Sequence, residues 1–138
     1  LKPLSQVASG GELSRIMLAI KTVLAGRDEI DTLIFDEIDT GISGRTAWKV
    51  AEQLSVLSGA HQVICITHLP QIAAMADVHF AIENSSTDDM TITDIRKVAD
   101  EESLAELARH LGSAAHTEAA LTNAKEMKEQ ANAFKEVR

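Results

Sequence analysis

Leu33-Ile34-Phe35-Asp36-Glu37 is the stretch that decides the fold: an uninterrupted apolar run that stops abruptly at two carboxylates. A strand over Asp31–Phe35 without polar alternation is of the kind buried on both faces of a parallel sheet. Upstream, Leu13, Ile16, Met17, Ile20, Val23 and Leu24 recur at helical spacing, with Glu12, Arg15 and Lys21 largely off that stripe. Ser9 and Glu12 match the S-x-x-E capping box, so the helix start is specified locally, and Gly26 is placed to end it. Downstream, Ser43 or Gly44 opens a second helix running to about Leu57, with Ala47, Val50, Ala51 and Leu54 inward. Gln62–Thr67 reads as a second buried strand, Leu69–Met75 as a short helical turn and Val78–Glu83 as a third strand. Strand, helix, strand, helix, strand implies right-handed crossovers, so the expected class is α/β, a mostly parallel sheet flanked by helices.

Beyond that core, Asn84–Met90 reads as a polar loop and Thr91–Val98 as a half-exposed edge strand. Leu104, Leu107, Ala108 and Leu111 mark a helix over Ser103–Leu111, closed by Gly112. A last helix, Thr117–Val137, carries only a thin stripe of Ala120, Ala124, Met127, Ala131 and Phe134. It is expected to pack weakly, or against a partner outside the chain.

The 138 residues suffice for one domain with a real core, and 45% hydrophobic residues support a globular class. A net charge of -8 argues against a free-standing nucleic-acid binder, which needs clustered Lys and Arg. The single Cys65 has no disulfide partner within the chain and lies in an apolar run, which reads as a buried thiol in a reducing compartment. No apolar run approaches the ~18 residues of a membrane helix, and the N-terminus shows no signal-peptide pattern. The chain begins at Leu1, almost on its first motif, and is expected to be a fragment of something larger.

Asp36, Glu37 and His68 all fall at the carboxyl ends of expected strands, where open α/β sheets bind ligands. A carboxylate ending an apolar strand is expensive without a partner, and a nucleotide-borne Mg2+ held by Asp36 through water would supply one. Glu37 beside it could orient or deprotonate an attacking water. Gly10 and Gly11 at a helix start each cost about 0.5–1 kcal/mol relative to alanine, so the bare backbone there suits close approach of a phosphate. His68 is placed to bond the terminal phosphate. Each of these has an ordinary alternative: an acidic turn, a capping box with no ligand, a structural histidine. His61, His79, His110 and His116 show no ligand spacing with one another or with Cys65. No G-x-x-x-x-G-K-S/T run occurs, so the chain has hydrolytic parts without the loop that grips the β-phosphate.

These residues carry a family likeness. Ala8-Ser9-Gly10-Gly11-Glu12 resembles the signature motif of ABC-type ATPases in their SMC and Rad-type branch. Thr32–Glu37 resembles the Walker B strand of those enzymes, Asp39–Gly44 their D-loop and Thr67-His68 their switch histidine. The longer strings Ser5–Arg15, Phe35–Gly44 and Ile66–Ala73 are similar to the RecN family of bacterial SMC-like DNA-repair ATPases, over about Leu4–Leu111. The resemblance implies that residues 1–138 form the C-terminal lobe of a P-loop (ABC-type) ATPase head. A separate N-terminal lobe would bring the phosphate loop, with a coiled coil between the lobes. Two heads, as a homodimer, would sandwich ATP and Mg2+. By the same resemblance Ser9, Gly10, Gly11 and Glu12 of one head would reach the γ-phosphate on the other, while Asp36, Glu37 and His68 would serve the nucleotide in cis. Asp39, Thr40, Gly41 and Ser43 would lie in the D-loop at the dimer contact. Hydrolysis would open the dimer and cycle the longer protein on DNA near double-strand breaks, in the cytoplasm at the nucleoid and without a membrane. The sequence departs from many ABC ATPases in having Ser43 where they have aspartate, and Ser43 is expected to cap the following helix. Two alternatives compete: a transporter nucleotide-binding subunit, against which Glu12 and Asp39-Thr40-Gly41 speak, and a non-catalytic lobe that docks through its last helix.

Overall fold

Leu33 and Phe35 turn to one side of a four-residue strand while Thr32 and Ile34 turn to the other, and that alternation organises the molecule. The computed structural model describes residues 8–24, 27, 29–87, 90–111 and 117–137. Its elements are α1 (Gly10–Val23), β1 (Thr32–Phe35), α2 (Gly44–Leu57), β2 (Gln62–Cys65) and α3 (Pro70–Met75), then β3 (Phe80–Thr87), β4 (Met90–Lys97), α4 (Asp100–His110) and α5 (Glu118–Glu136). β1 and β2 pair in parallel, with Leu33 opposite Val63 and Phe35 opposite Cys65. The inward pairs meet the buried residues of α2, α3, α4 and α5, so the architecture is α/β, a small parallel sheet flanked by helices.

The parallel strands are buried on one face only, against the expectation of two. Ile34 is 68% exposed, and Ile64, its partner in register, is exposed with it. The third strand also departs from the expected order. β3 leaves the parallel sheet and pairs antiparallel with β4, with Ile82 opposite Ile95. The polar residues read as a loop from Asn84 instead prolong β3 to Thr87. A hairpin satisfies its backbone between its own strands whatever the side chains are, so polarity there did not mark the end of the strand.

α1 begins as expected, on the Ser9 capping box. Its apolar stripe, however, faces outward: Leu13, Ile16, Met17, Ile20, Val23 and Leu24 are all exposed, and Leu18 is the large apolar side chain that turns in. Gly26 and Gly112, read as helix stops, lie outside the described residues. α2 runs over the expected span, with Ala47, Val50, Ala51 and Leu54 buried. α4 starts three residues before the expected Ser103 and buries Leu107 and Ala108 completely.

The last helix is not the weakly packed element its composition suggested. Thr117 caps it by accepting from the Ala120 N–H, and Ala120, Ala124, Met127 and Ala131 are buried against α3 and α4, with Phe134 partly so. Alanines bury little area each but let two helix backbones approach closely, so a thin stripe suffices. Lys135 adds an ion pair to Asp77 at 2.6 Å. Cys65 is half-buried, and burial, followed by the charges of Asp39 and Asp36, pushes its thiol up to about 12.

Candidate functional site

The chain leaves β1 at Asp36 and turns at once. The Asp36 Oδ1 accepts the Glu37 N–H at 2.9 Å, and the Asp36 carbonyl accepts the Ser14 hydroxyl at 2.8 Å. Glu37 has a φ of 56°, the left-handed region that favours glycine, which costs an L-residue about 1–2 kcal/mol. Strain of this kind persists only where surrounding contacts over-determine the backbone. Here they do. The Glu37 carbonyl accepts the Thr40 N–H, Ile38 is wholly buried, and Gly41 supplies the second positive φ of the turn.

α1 completes the clamp. Arg15 Nη1 donates to the carbonyls of Ile38 at 3.0 Å and of Thr40 at 2.8 Å. A methyl group on Gly11 would lie 2.9 Å from the Glu37 carbonyl oxygen and 3.0 Å from the Thr40 Cβ, so this glycine is required for the turn to lie on the helix. Gly11 therefore has a reason inside the chain, independent of any phosphate contact. Gly10 differs. It is exposed, and the Glu37 carboxylate lies over it, at the positive end of the helix dipole. Glu12 and Ser9 are engaged with each other: the Ser9 N–H donates to Glu12 Oε2 at 2.8 Å and the Glu12 N–H to Ser9 Oγ at 3.3 Å. The backbone bond from Ser9, then its hydroxyl, holds the Glu12 carboxyl below the usual range. Ser9 Oγ thus accepts from the Glu12 N–H while its own proton is turned toward the Glu12 carboxylate.

His68 lies at the exit of β2 and pairs with Asp39 rather than Asp36. Asp39, 4% exposed, accepts the Thr67 hydroxyl at 2.5 Å and the His68 N–H at 2.8 Å, and its Oδ2 lies 3.0 Å from His68 Nδ1. Burial pushes the Asp39 pKa up. The bonds from Thr67 and His68 and the nearby imidazole outweigh it and hold the carboxyl below its ordinary range. The imidazole of His68 stays largely open, with 71% of the side chain exposed.

The structure thus sets Gly10 and Gly11 of α1 against Glu37, holds Asp36 and Glu37 on the turn that α1 clamps, leaves Ser9 engaged with Glu12 at the start of that helix, and joins Asp39 to His68. Thr40, Gly41 and Ser43 are exposed, whereas Asp39 is committed to the interior. Ser43 occupies the N-cap position of α2, yet its hydroxyl makes no capping bond, which corrects the expected cap. Ser14 and Arg15, which fix the turn, were not singled out from the sequence. Their spacing of three and four residues from Gly11 puts all three on one helix face and is the signal that could have found them. Among the described residues no three His, Cys, Asp or Glu side chains gather as metal ligands. The exposed Asp36–Glu37 pair suits a cation whose remaining ligands are phosphate and water oxygens. His61 is structural, its Nδ1 lying 2.6 Å from the Ile30 carbonyl, and His116 lies outside the described residues. No helix among the described residues is long and apolar enough to cross a membrane.

No protein-family model matches the chain. Curated relatives do. The chain is 45% identical over 135 residues to the DNA repair protein RecN of Halalkalibacterium halodurans, an alignment covering 98% of this chain and 24% of that protein. It is 46% identical over 135 residues to DNA repair protein RecN of Bacillus subtilis, covering 98% of this chain and 23% of the relative. The corresponding protein of Treponema pallidum is 51% identical over 126 residues, covering 91% of this chain and 22% of the relative. Along nearly all of its own length, and as a segment spanning about a quarter of the length of those relatives, this chain belongs to the RecN family.

Proposed function

We propose that this chain is the C-terminal lobe of the ATPase head of a RecN-type protein acting in DNA double-strand-break repair, and that it supplies hydrolytic residues to ATP bound with Mg2+ between two heads. The observation that carries this reading is the meeting of an exposed helix N-terminus, Ser9-Gly10, with two exposed carboxylates on a strained turn at the carboxyl end of β1. A parallel strand delivers the carboxylates to the ligand-binding edge of the sheet, and an intramolecular clamp holds them there.

In this reading Asp36 would hold Mg2+, which would supply neutralisation of phosphate charge. Glu37 accepts a proton from a water whose oxygen bonds to the γ-phosphorus as the bond to the β-bridging oxygen breaks, giving ADP and phosphate. His68, oriented by Asp39, offers a ring N–H to the γ-phosphate oxygens. The backbone N–H groups and the Ser9 hydroxyl at the start of α1 donate to phosphate across the head–head contact. Thr40, Gly41 and Ser43 present an exposed surface suited to that contact.

Two further features support a longer protein as the working unit. The outward face of the parallel pair (Ile34, Ile64 and then Ile66) and the outward stripe of α1 leave apolar surface that a separate N-terminal lobe would cover. That lobe would also bring the phosphate loop missing from this sequence. With a net charge of -8, DNA contact falls to other parts of the longer protein. The burial of the α5 stripe within the chain weighs against a lobe that docks through its last helix.

The test places this chain in the matching segment of Bacillus subtilis RecN and measures ATP hydrolysis with and without linear duplex DNA. Glu37→Gln is expected to abolish turnover while ATP-bound dimers accumulate in sedimentation. Full hydrolysis by Glu37→Gln would remove Glu37 from the role of base.

A further inference from the structure

We infer that His110, at the carboxyl end of α4, is a positioning residue for His68, acting through the His68 backbone; this rests on the reading of His68 as a phosphate-facing side chain. Thr67, His68 and Leu69, beyond the end of β2, are tied on two sides. On one side, Asp39 accepts from the Thr67 hydroxyl and the His68 N–H. The Leu69 N–H donates to the Thr67 hydroxyl oxygen at 3.1 Å. On the other side, His110 Nδ1 lies 3.1 Å from the His68 carbonyl oxygen, across 42 residues of chain. Both backbone polar groups of His68 are therefore engaged by side chains rather than by a strand ladder. That arrangement fixes the φ and ψ of a residue whose imidazole is mostly open to water.

The His110 ring is itself held. Its Nε2 lies 3.4 Å from Glu106 Oε1, and Glu106 is nearly buried and bound by Arg109 through Nε at 3.2 Å and Nη2 at 2.5 Å. A carbonyl oxygen only accepts, so the contact requires a proton on Nδ1. With both ring nitrogens protonated, Nδ1 donating to the His68 carbonyl and Nε2 to Glu106 Oε1, the pair Glu106–His110 forms a strut from the body of α4 to His68. α4 is seated by α5. The strut therefore couples the carboxy-terminal helices to a side chain at the proposed site, a task that neither helix shows in its sequence.

The strut is tested on this chain by amide hydrogen exchange and on the RecN chimaera by kinetics. Removing one net hydrogen bond of about 1 kcal/mol is expected to speed exchange of the His68 and Leu69 amides roughly fivefold in His110→Ala, while the amides of Val50–Leu54 are unchanged. His110→Gln, which can present an amide N–H to the same carbonyl, restores protection. In the chimaera His110→Ala lowers kcat for ATP hydrolysis with KM for ATP unchanged, and His110→Gln recovers it. Unchanged exchange at His68 and Leu69 in His110→Ala overturns the inference, as does equal acceleration of every amide, the mark of a merely structural side chain. If Glu37→Gln keeps full turnover, the hydrolytic reading fails on its own, and the exchange experiment still decides whether His110 positions His68.

Discussion

Replacing Glu37 tests whether the turn after β1 is held under strain for the sake of its carboxylate. At a φ of 56° the backbone of Glu37 carries about 1–2 kcal/mol of left-handed penalty that glycine does not. Glycine gives back part of this gain, about 0.4–1 kcal/mol, through the larger entropy of its unfolded chain. Comparison of Glu37→Gly with Glu37→Ala isolates the backbone, because both variants lose the same carboxylate from its place over the start of α1. Glu37→Gly should then be the more stable of the two by about 1 kcal/mol, worth about 3–4 °C in melting temperature for a domain of this size. Urea unfolding followed by circular dichroism gives the free-energy difference, provided that the two variants share one denaturant slope. Alanine equal to or better than glycine would refute the argument, since it would mean that the turn relaxes without cost. Both variants lack the proposed base, so a stabilised Glu37→Gly is expected to be hydrolytically silent in the chimaera.

The glycine pair at the start of α1 should behave asymmetrically. Gly11→Ala meets backbone and Cβ atoms at 2.9–3.0 Å and is expected to destabilise by about 1–3 kcal/mol, whereas Gly10→Ala meets only the movable end of Glu37 and can gain up to about 1 kcal/mol of helix propensity; equal effects in urea melts would contradict the packing reason for Gly11. Asp39→Asn puts an amide against the donors of Thr67 and His68 and should cost about 2 kcal/mol at neutral pH. Because the folded-state pKa of Asp39 is lowered, its contribution is present above the unfolded carboxyl pKa of about 3.9 and fades as pH falls through the lower folded value, so the gap between wild type and Asp39→Asn narrows in acid; a gap constant with pH in urea midpoints would count against the charged network. Met127→Ala removes the largest fully seated side chain of the α5 stripe and should cost about 2–3 kcal/mol by thermal melting, and no change would mean that α5 is not docked on α3 and α4.

What could be read from the sequence was what local chemistry decides. The capping box of Ser9 and Glu12 and the inward face of α2 each depend on residues a few positions apart, and both stand where the pattern puts them. Asp36 and Glu37 follow β1 directly because its hydrophobic run terminates there, whereas β2 ends at Cys65, short of the expected Thr67, and His68 lies three residues beyond it. The partner of His68 was not legible: Asp39 lies 29 residues away and its burial follows from the turn, not from any spacing. The β3–β4 hairpin is only half legible for a related reason. Only Ala81 of its first strand is buried among the described side chains, so hydrophobic alternation, the signal used to find strands, was nearly absent there. α5 carries a weak sequence signal because alanine contributes little to a hydrophobic count and much to close approach.

α1 is the instructive case. By the ordinary rule for a surface helix, its apolar stripe would be the face that meets the core. The face that actually turns inward is Gly11, Ser14, Arg15, Leu18 and Thr22, a polar face with one leucine. Its contacts are specific: Ser14 and Arg15 donate to three carbonyls of the turn that carries Asp36 and Glu37. Such bonds contribute about 0.5–1.5 kcal/mol each, more from the charged guanidinium, and they demand one register and one distance, which burial of a greasy stripe does not. The helix is thus located by the acidic turn, and the turn is strained against the helix. A polar face spent on holding a site and an apolar face left open agree with the proposal that further protein covers that apolar face. The same inversion that defeats the helical-stripe rule therefore links the local geometry of Asp36 and Glu37 to the proposed second lobe: covering the stripe would press α1 onto the turn and fix both carboxylates at once.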